Sequence, residues 1–94
     1  MMINICGTWF SVDEQENLYD NDGALSGQID MDRAEIHLGV RLSEEAKNAT
    51  LCHEILHGLL ENIGRSDLSN DEQFVTALGN AINGAFKVKE QENE

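Results

Sequence analysis

The chain has 94 residues, 40% of them hydrophobic, which suffices for one core and leaves no room for a second domain. Eighteen acidic residues against six basic ones give a net charge of −12. With no lysine or arginine stripe to meet phosphates, that charge excludes nucleic acid as a partner and disfavours an anionic membrane surface, while permitting a basic protein partner.

Residues 2–12 (MINICGTWFSV) place Ile3, Ile5, Gly7 and Trp9 on one parity and predict a strand bent at Gly7. The same N-terminus lacks the basic start and long apolar segment of a signal peptide. Nowhere does an apolar run approach the ~20 residues of a membrane span. Residues 13–17 (DEQEN) predict an acidic turn or the start of a short helix, and 20–23 (DNDG) a turn, because Asn, Asp and Gly tolerate positive φ. Residues 25–40 (LSGQIDMDRAEIHLGV) predict two short strands around the turn Asp30-Met31-Asp32-Arg33. Ile36 and Leu38 then share one face, with Glu35, His37 and Gly39 on the other.

Ser43 offers an N-cap, and Glu44 and Glu45 fall in a first turn where the helix dipole favours them. Apolar residues recur at helical spacing from Ala46 to Ile63, and Gly64 suits a C-terminal cap, so a helix is expected over about 44–63. A second helix is expected over 69–86, with Ser69 as its N-cap and Phe74, Val75, Leu78, Ala81, Ile82, Ala85 and Phe86 in its apolar stripe. Residues 87–94 (KVKEQENE) read as a charged, solvated tail. The expected fold class is α+β in a single domain over 1–94: a small antiparallel or mixed sheet of about three strands in 1–42, packed on the two helices. Cys6 and Cys52 do not make a disulfide framework, so a reduced, cytoplasmic setting is expected.

The chemistry is concentrated in residues 50–60, TLCHEILHGLL. Residues four apart on a helix lie one turn apart on one face, so His53 and His57 are able to direct both imidazoles at one zinc ion, about 2.0–2.1 Å away. Glu54 lies beside the ion without ligating it. Zinc lowers the pKa of a bound water to near 7, and an adjacent carboxylate acts as general base and returns the proton to the leaving amine. His-Glu-x-x-His is the metalloprotease signature for this reason. An unpaired polar triad in a small core would be unfavourable, whereas a metal turns that penalty into binding energy.

Two histidines need a third protein ligand. The second helix supplies Glu72, with Asp71 and Asp67 as alternatives. Glu72 has a competing role, because Ser69-Asn70-Asp71-Glu72 also reads as a capping box. Cys52 is rotated about 100° from His53 around the helix, so core packing is expected of it, as of Cys6. His37 is the third histidine, and it is open to facing a cleft. Ligand type points to zinc, although other first-row ions favour the same donors.

Taken together, INICGTWFSV, GQID, AEIHLGV, LSEEAKNATLCHEILHGLL and DEQFVTALGNAI resemble the very small zincin-type metallopeptidases of phages and prophages, akin to minigluzincins and to the core of the ImmA/IrrE-type peptidases. The likeness covers most of residues 3–86 and is specific only in 50–60. It implies a minimal zincin-like fold and a zinc-dependent endopeptidase acting on a peptide or protein substrate in a bacterial host cell. By position it makes His53, His57 and Glu72 the zinc ligands and Glu54 the general base. It also implies an edge strand beside the cleft that pairs with extended substrate, for which residues 34–40 are the candidate. For the developing oxyanion the sequence offers only Tyr19 and His37. Two other functions compete: an acidic phage protein that binds a basic host protein through a structural or vestigial zinc site, and a helix–sheet domain with no metal.

Overall fold

The computed structural model describes residues 1–20 and 23–86. The tail expected at 87–94 and the centre of the turn expected at 20–23 lie outside the described residues.

The first expected strand is two. β1 (Met2–Ile5) and β2 (Thr8–Gln15) form an antiparallel hairpin with Ile5 opposite Thr8. The two loop residues, Cys6 and Gly7, both have positive φ, at 52° and 92°. A two-residue loop of this kind matches the twist of its strands, and Gly7 meets its requirement without strain. The Asn4 Oδ1 accepts the Gly7 N–H at 2.9 Å and helps hold the turn. Cys6 is therefore exposed at the hairpin tip and not a small core residue.

Residues 13–15, expected in a turn or helix start, extend β2, because β6 (Glu35–Gly39) pairs parallel to it from Ser11 opposite Glu35 to Gln15 opposite Gly39. A short ribbon of β3 (Tyr19–Asp20) and β4 (Gly23–Ala24) and then β5 (Gly27–Asp30) carry the chain across, and β5 pairs antiparallel with β6. The sheet is mixed and four-stranded in the order β1-β2-β6-β5, one strand more than expected because the chain reverses at Gly7. Its inner face carries Ile3, Ile5, Phe10, Ile36 and Leu38, packed on Leu51 of the first helix with Ile29 and Ile55 alongside.

That helix, α1 (Glu44–Asn62), has the expected ends. The Ser43 Oγ accepts the Ala46 N–H at 3.2 Å. At the other end Gly64 takes φ 77°, its N–H reaching Glu61 O and the Arg65 N–H reaching Leu60 O at 2.8 Å, which is a Schellman closure. A single helical turn, α2 (Ser66–Ser69), follows, and Asp71 then caps α3 (Glu72–Ala85) by accepting the Phe74 N–H at 3.1 Å. Ser69 is thus not the N-cap, and the expected capping box does not form. α3 folds back along α1 over a second core of Leu56, Leu60 and Val75. No helix among the described residues is long and apolar enough to cross a membrane.

Gly27 sets how closely β5 lies against α1. A Cβ there would stand 2.5 Å from Thr50 Cγ2 and 3.0 Å from the His37 carbonyl oxygen. Thr50 is β-branched and has little rotamer freedom in a helix. Gly27→Ala is expected to destabilise the chain by about 1–3 kcal/mol through overpacking. A urea midpoint equal to wild type would contradict this contact.

Candidate metal centre

His53 and His57 lie one turn apart on α1, and the capped start of α3 brings Glu72 over them. His57 Nε2 is 2.9 Å from Glu72 Oε1, His53 Nε2 is 3.3 Å from Glu72 Oε2, and the two Nε2 atoms are 3.2 Å apart. Tetrahedral zinc with bonds of 2.0–2.1 Å holds its ligand atoms roughly 3.3 Å apart. The two nitrogens already have that separation, each faces a different oxygen of Glu72, and with one donor atom per side chain the three lie within 4.8 Å of one another. They form the one group of three metal-binding side chains among the described residues. Burial holds His53 below the ordinary histidine pKa, although the Glu72 carboxylate pulls it upward; the net effect favours the neutral imidazole that a metal requires.

α3 runs alongside α1, and Gly79 is where it passes beside the first histidine. An added side-chain carbon there would make only ordinary contact, its Cβ 3.5 Å from His53 Cα.

Glu54 is buried, with 7% of its surface exposed, and faces the same cleft. Burial, and secondarily the nearby Glu72 charge, pushes its carboxyl up to about 7. A carboxylate poised near neutrality is suited to taking and returning a proton.

The alternatives to Glu72 are otherwise engaged. The Asp71 side chain caps α3. Asp67 accepts two hydrogen bonds from Arg65, at 3.0 and 2.9 Å, and that guanidinium holds its carboxyl down to about 2. Cys52 is buried, donates towards Asn83 Oδ1, and has its thiol pKa raised by burial, as befits a packing residue. His37 does not face the cleft. It stands on the outer face of the sheet beside Asp13, its parallel register partner, with Nδ1 2.5 Å from the carboxylate and Nε2 3.5 Å from Glu35. Tyr19 is exposed and also outside the cleft.

The cleft, about 860 Å³, runs between α1 and β5. Residues 34–40 are not its border: β6 is internal, between β2 and β5, and the sheet edge beside the metal triad is β5. Polar residues that sequence reasoning missed also line it, Asn80 and Ser69 among them. Asn80 lies two turns beyond Glu72 on α3, a spacing that foretells it once the helix is placed. Ser69 lies with Oγ 2.9 Å from His57 Nδ1, and no local signal announces a contact across twelve residues. Compared with known protein families, curated proteins and solved structures, the chain matches none.

Proposed function

We propose that the chain is a zinc-dependent metallopeptidase-like protein of the minimal zincin kind carried by phages and prophages, acting in the reducing cytoplasm of a bacterial cell. The observation that carries this reading is the spacing of His53 Nε2, His57 Nε2 and Glu72 beside a buried glutamate in an open cleft. A zinc ion on this donor set would supply Lewis acidity and a lowered water pKa. Glu54 takes a proton from the attacking water and delivers it to the leaving amine. β5, an end strand of the sheet among the described residues, pairs through its outer backbone edge with an extended peptide and holds it across the cleft. Among the described residues every charged side chain lining the cleft is a carboxylate, Glu54, Glu61 or Glu72, which favours basic over acidic side chains in the bound peptide. Free Cys6 and Cys52 suit a reducing compartment.

The test is digestion of a mixed peptide library by the zinc-loaded protein, read by mass spectrometry, beside Glu54→Gln and a chelated sample. Cleavage by wild type alone, enriched at lysine or arginine, is the expected result. Zinc binding without cleavage would move the acidic binding-module reading to the front, and cleavage retained by Glu54→Gln would overturn the assigned base.

A further inference from the structure

Ser69 belongs to neither the donor triad nor the general base, yet its side chain is almost fully enclosed, with 5% of its surface exposed. Its Oγ lies 2.9 Å from Nδ1 of His57, while Nε2 of the same ring faces Glu72 and His53. His53 has no comparable hydrogen bond at its own Nδ1 among the described residues. The segment holding Ser69 is fixed at both ends: its N–H bonds Arg65 O at 3.1 Å behind the closure of α1, and Asp71 caps α3 ahead of it. Ser69 lies three positions before Glu72, so one short stretch presents a hydroxyl to the back of the ring and a carboxylate to its front.

We infer that Ser69 is a positioning residue for the metal centre, fixing the ring of His57 so that Nε2 is aimed at the ion. This rests on the metal-site reading above. A histidine ligand is oriented by the hydrogen bond at its other nitrogen, which also decides which nitrogen is bare. A hydroxyl both donates and accepts. It pairs with Nδ1 when that nitrogen is bare and Nε2 holds the proton, and again when Nδ1 holds the proton and Nε2 is free for a metal. A carboxylate has only the second option while ionised. The Ser-x-x-Glu spacing that reads as a capping box in the sequence thus serves as a ring holder followed by a ligand.

The test is zinc affinity by competition with a chromophoric chelator, for wild type, Ser69→Ala, Ser69→Thr, His57→Ala and the Ser69→Ala/His57→Ala pair. Ser69→Ala is expected to weaken zinc binding roughly 10–100-fold, the range for loss of such a partner. Ser69→Thr, which keeps the hydroxyl, restores most of it, and the double variant binds no more weakly than His57→Ala alone. A purely packing role predicts a lowered melting temperature with wild-type affinity, and that result overturns the inference. Should Ser69→Ala not fold, nitrogen-15 spectra of the zinc-loaded wild type decide. A protonated His57 Nδ1 with slow proton exchange supports the inference, and fast exchange overturns it. Absence of zinc binding in wild type defeats the metal reading itself, a failure visible before any variant is compared.

Discussion

Saturating zinc is expected to raise the melting temperature of the chain by roughly 10–20 °C. A ligand at about a hundred times its Kd stabilises a native state by about 2.7 kcal/mol, and each kcal/mol moves the midpoint of a domain this size by about 4–8 °C. The His53, His57 and Glu72 donors span two helices, α1 and α3, so the ion would cross-link the second core as well as fill the site. His53→Ala, His57→Ala and Glu72→Ala are each expected to abolish most of the shift. Asp67→Ala should keep it entire. Asp71→Ala should lower the midpoint with and without zinc, since loss of an N-cap costs about 1 kcal/mol, yet leave the zinc increment intact. Differential scanning calorimetry with and without added zinc reads all six proteins. An increment that survives in Glu72→Ala but vanishes in Asp71→Ala would exchange the ligand assignment, and no increment in wild type would leave the triad a set of hydrogen-bonded side chains.

The part of the fold legible in the sequence is the part held by local chemistry. α1 follows from the Ser43 cap, the two glutamates after it, helical apolar spacing and Gly64, and each of these acts on backbone within a few residues of itself. The His53, Glu54 and His57 constellation inherits that legibility, since one helix sets it. What depends on distant partners was misplaced. The reversal at Cys6-Gly7 was hidden because parity continues through a two-residue loop, so Ile5 and Gly7 look like members of one strand. The position of β6 inside the sheet depends on a parallel pairing with β2 across some twenty residues, which no periodicity encodes, and the sheet edge beside the cleft passes to β5 as a result. His37 keeps the face that strand alternation predicts, opposite Ile36 and Leu38, and what the sequence hides is that this face meets Asp13 through that pairing and not the cleft. At 69–72 the cap moved by two residues, because the turn α2 inserts before Asp71, freeing both Ser69 and Glu72 to meet His57.

Glu54→Gln is expected to raise the stability of the metal-free protein at pH 8 by about 3 kcal/mol while reducing peptide hydrolysis 100-fold or more, the low end of the range of about 10²–10⁴ for loss of a general base. The sign follows from the direction of the shift. Burial and the Glu72 charge raise the folded-state carboxyl from 4.5 to about 7. The folded state therefore holds its proton more tightly than the unfolded chain, so the associated stability is fully present below pH 4.5 and is lost as pH rises through 7. Above that, a charged carboxylate is kept in a poorly solvated place beside a second carboxylate. Glutamine fills the same volume with no charge to desolvate, so its advantage should be absent near pH 4 and grow to its full size by pH 8. Urea titrations of both proteins in chelator across that interval measure the difference directly. A difference independent of pH would mean that Glu54 is solvated in the folded state. Added zinc should narrow the gap, because a cation on the triad offsets the Glu72 contribution and favours the ionised Glu54. The same enclosure that makes Glu54 unfavourable as a charge is what brings its proton affinity to neutrality, where a base must work. A variant more stable without metal and inactive with it is thus the signature expected of a site whose function is maintained against the stability of the fold.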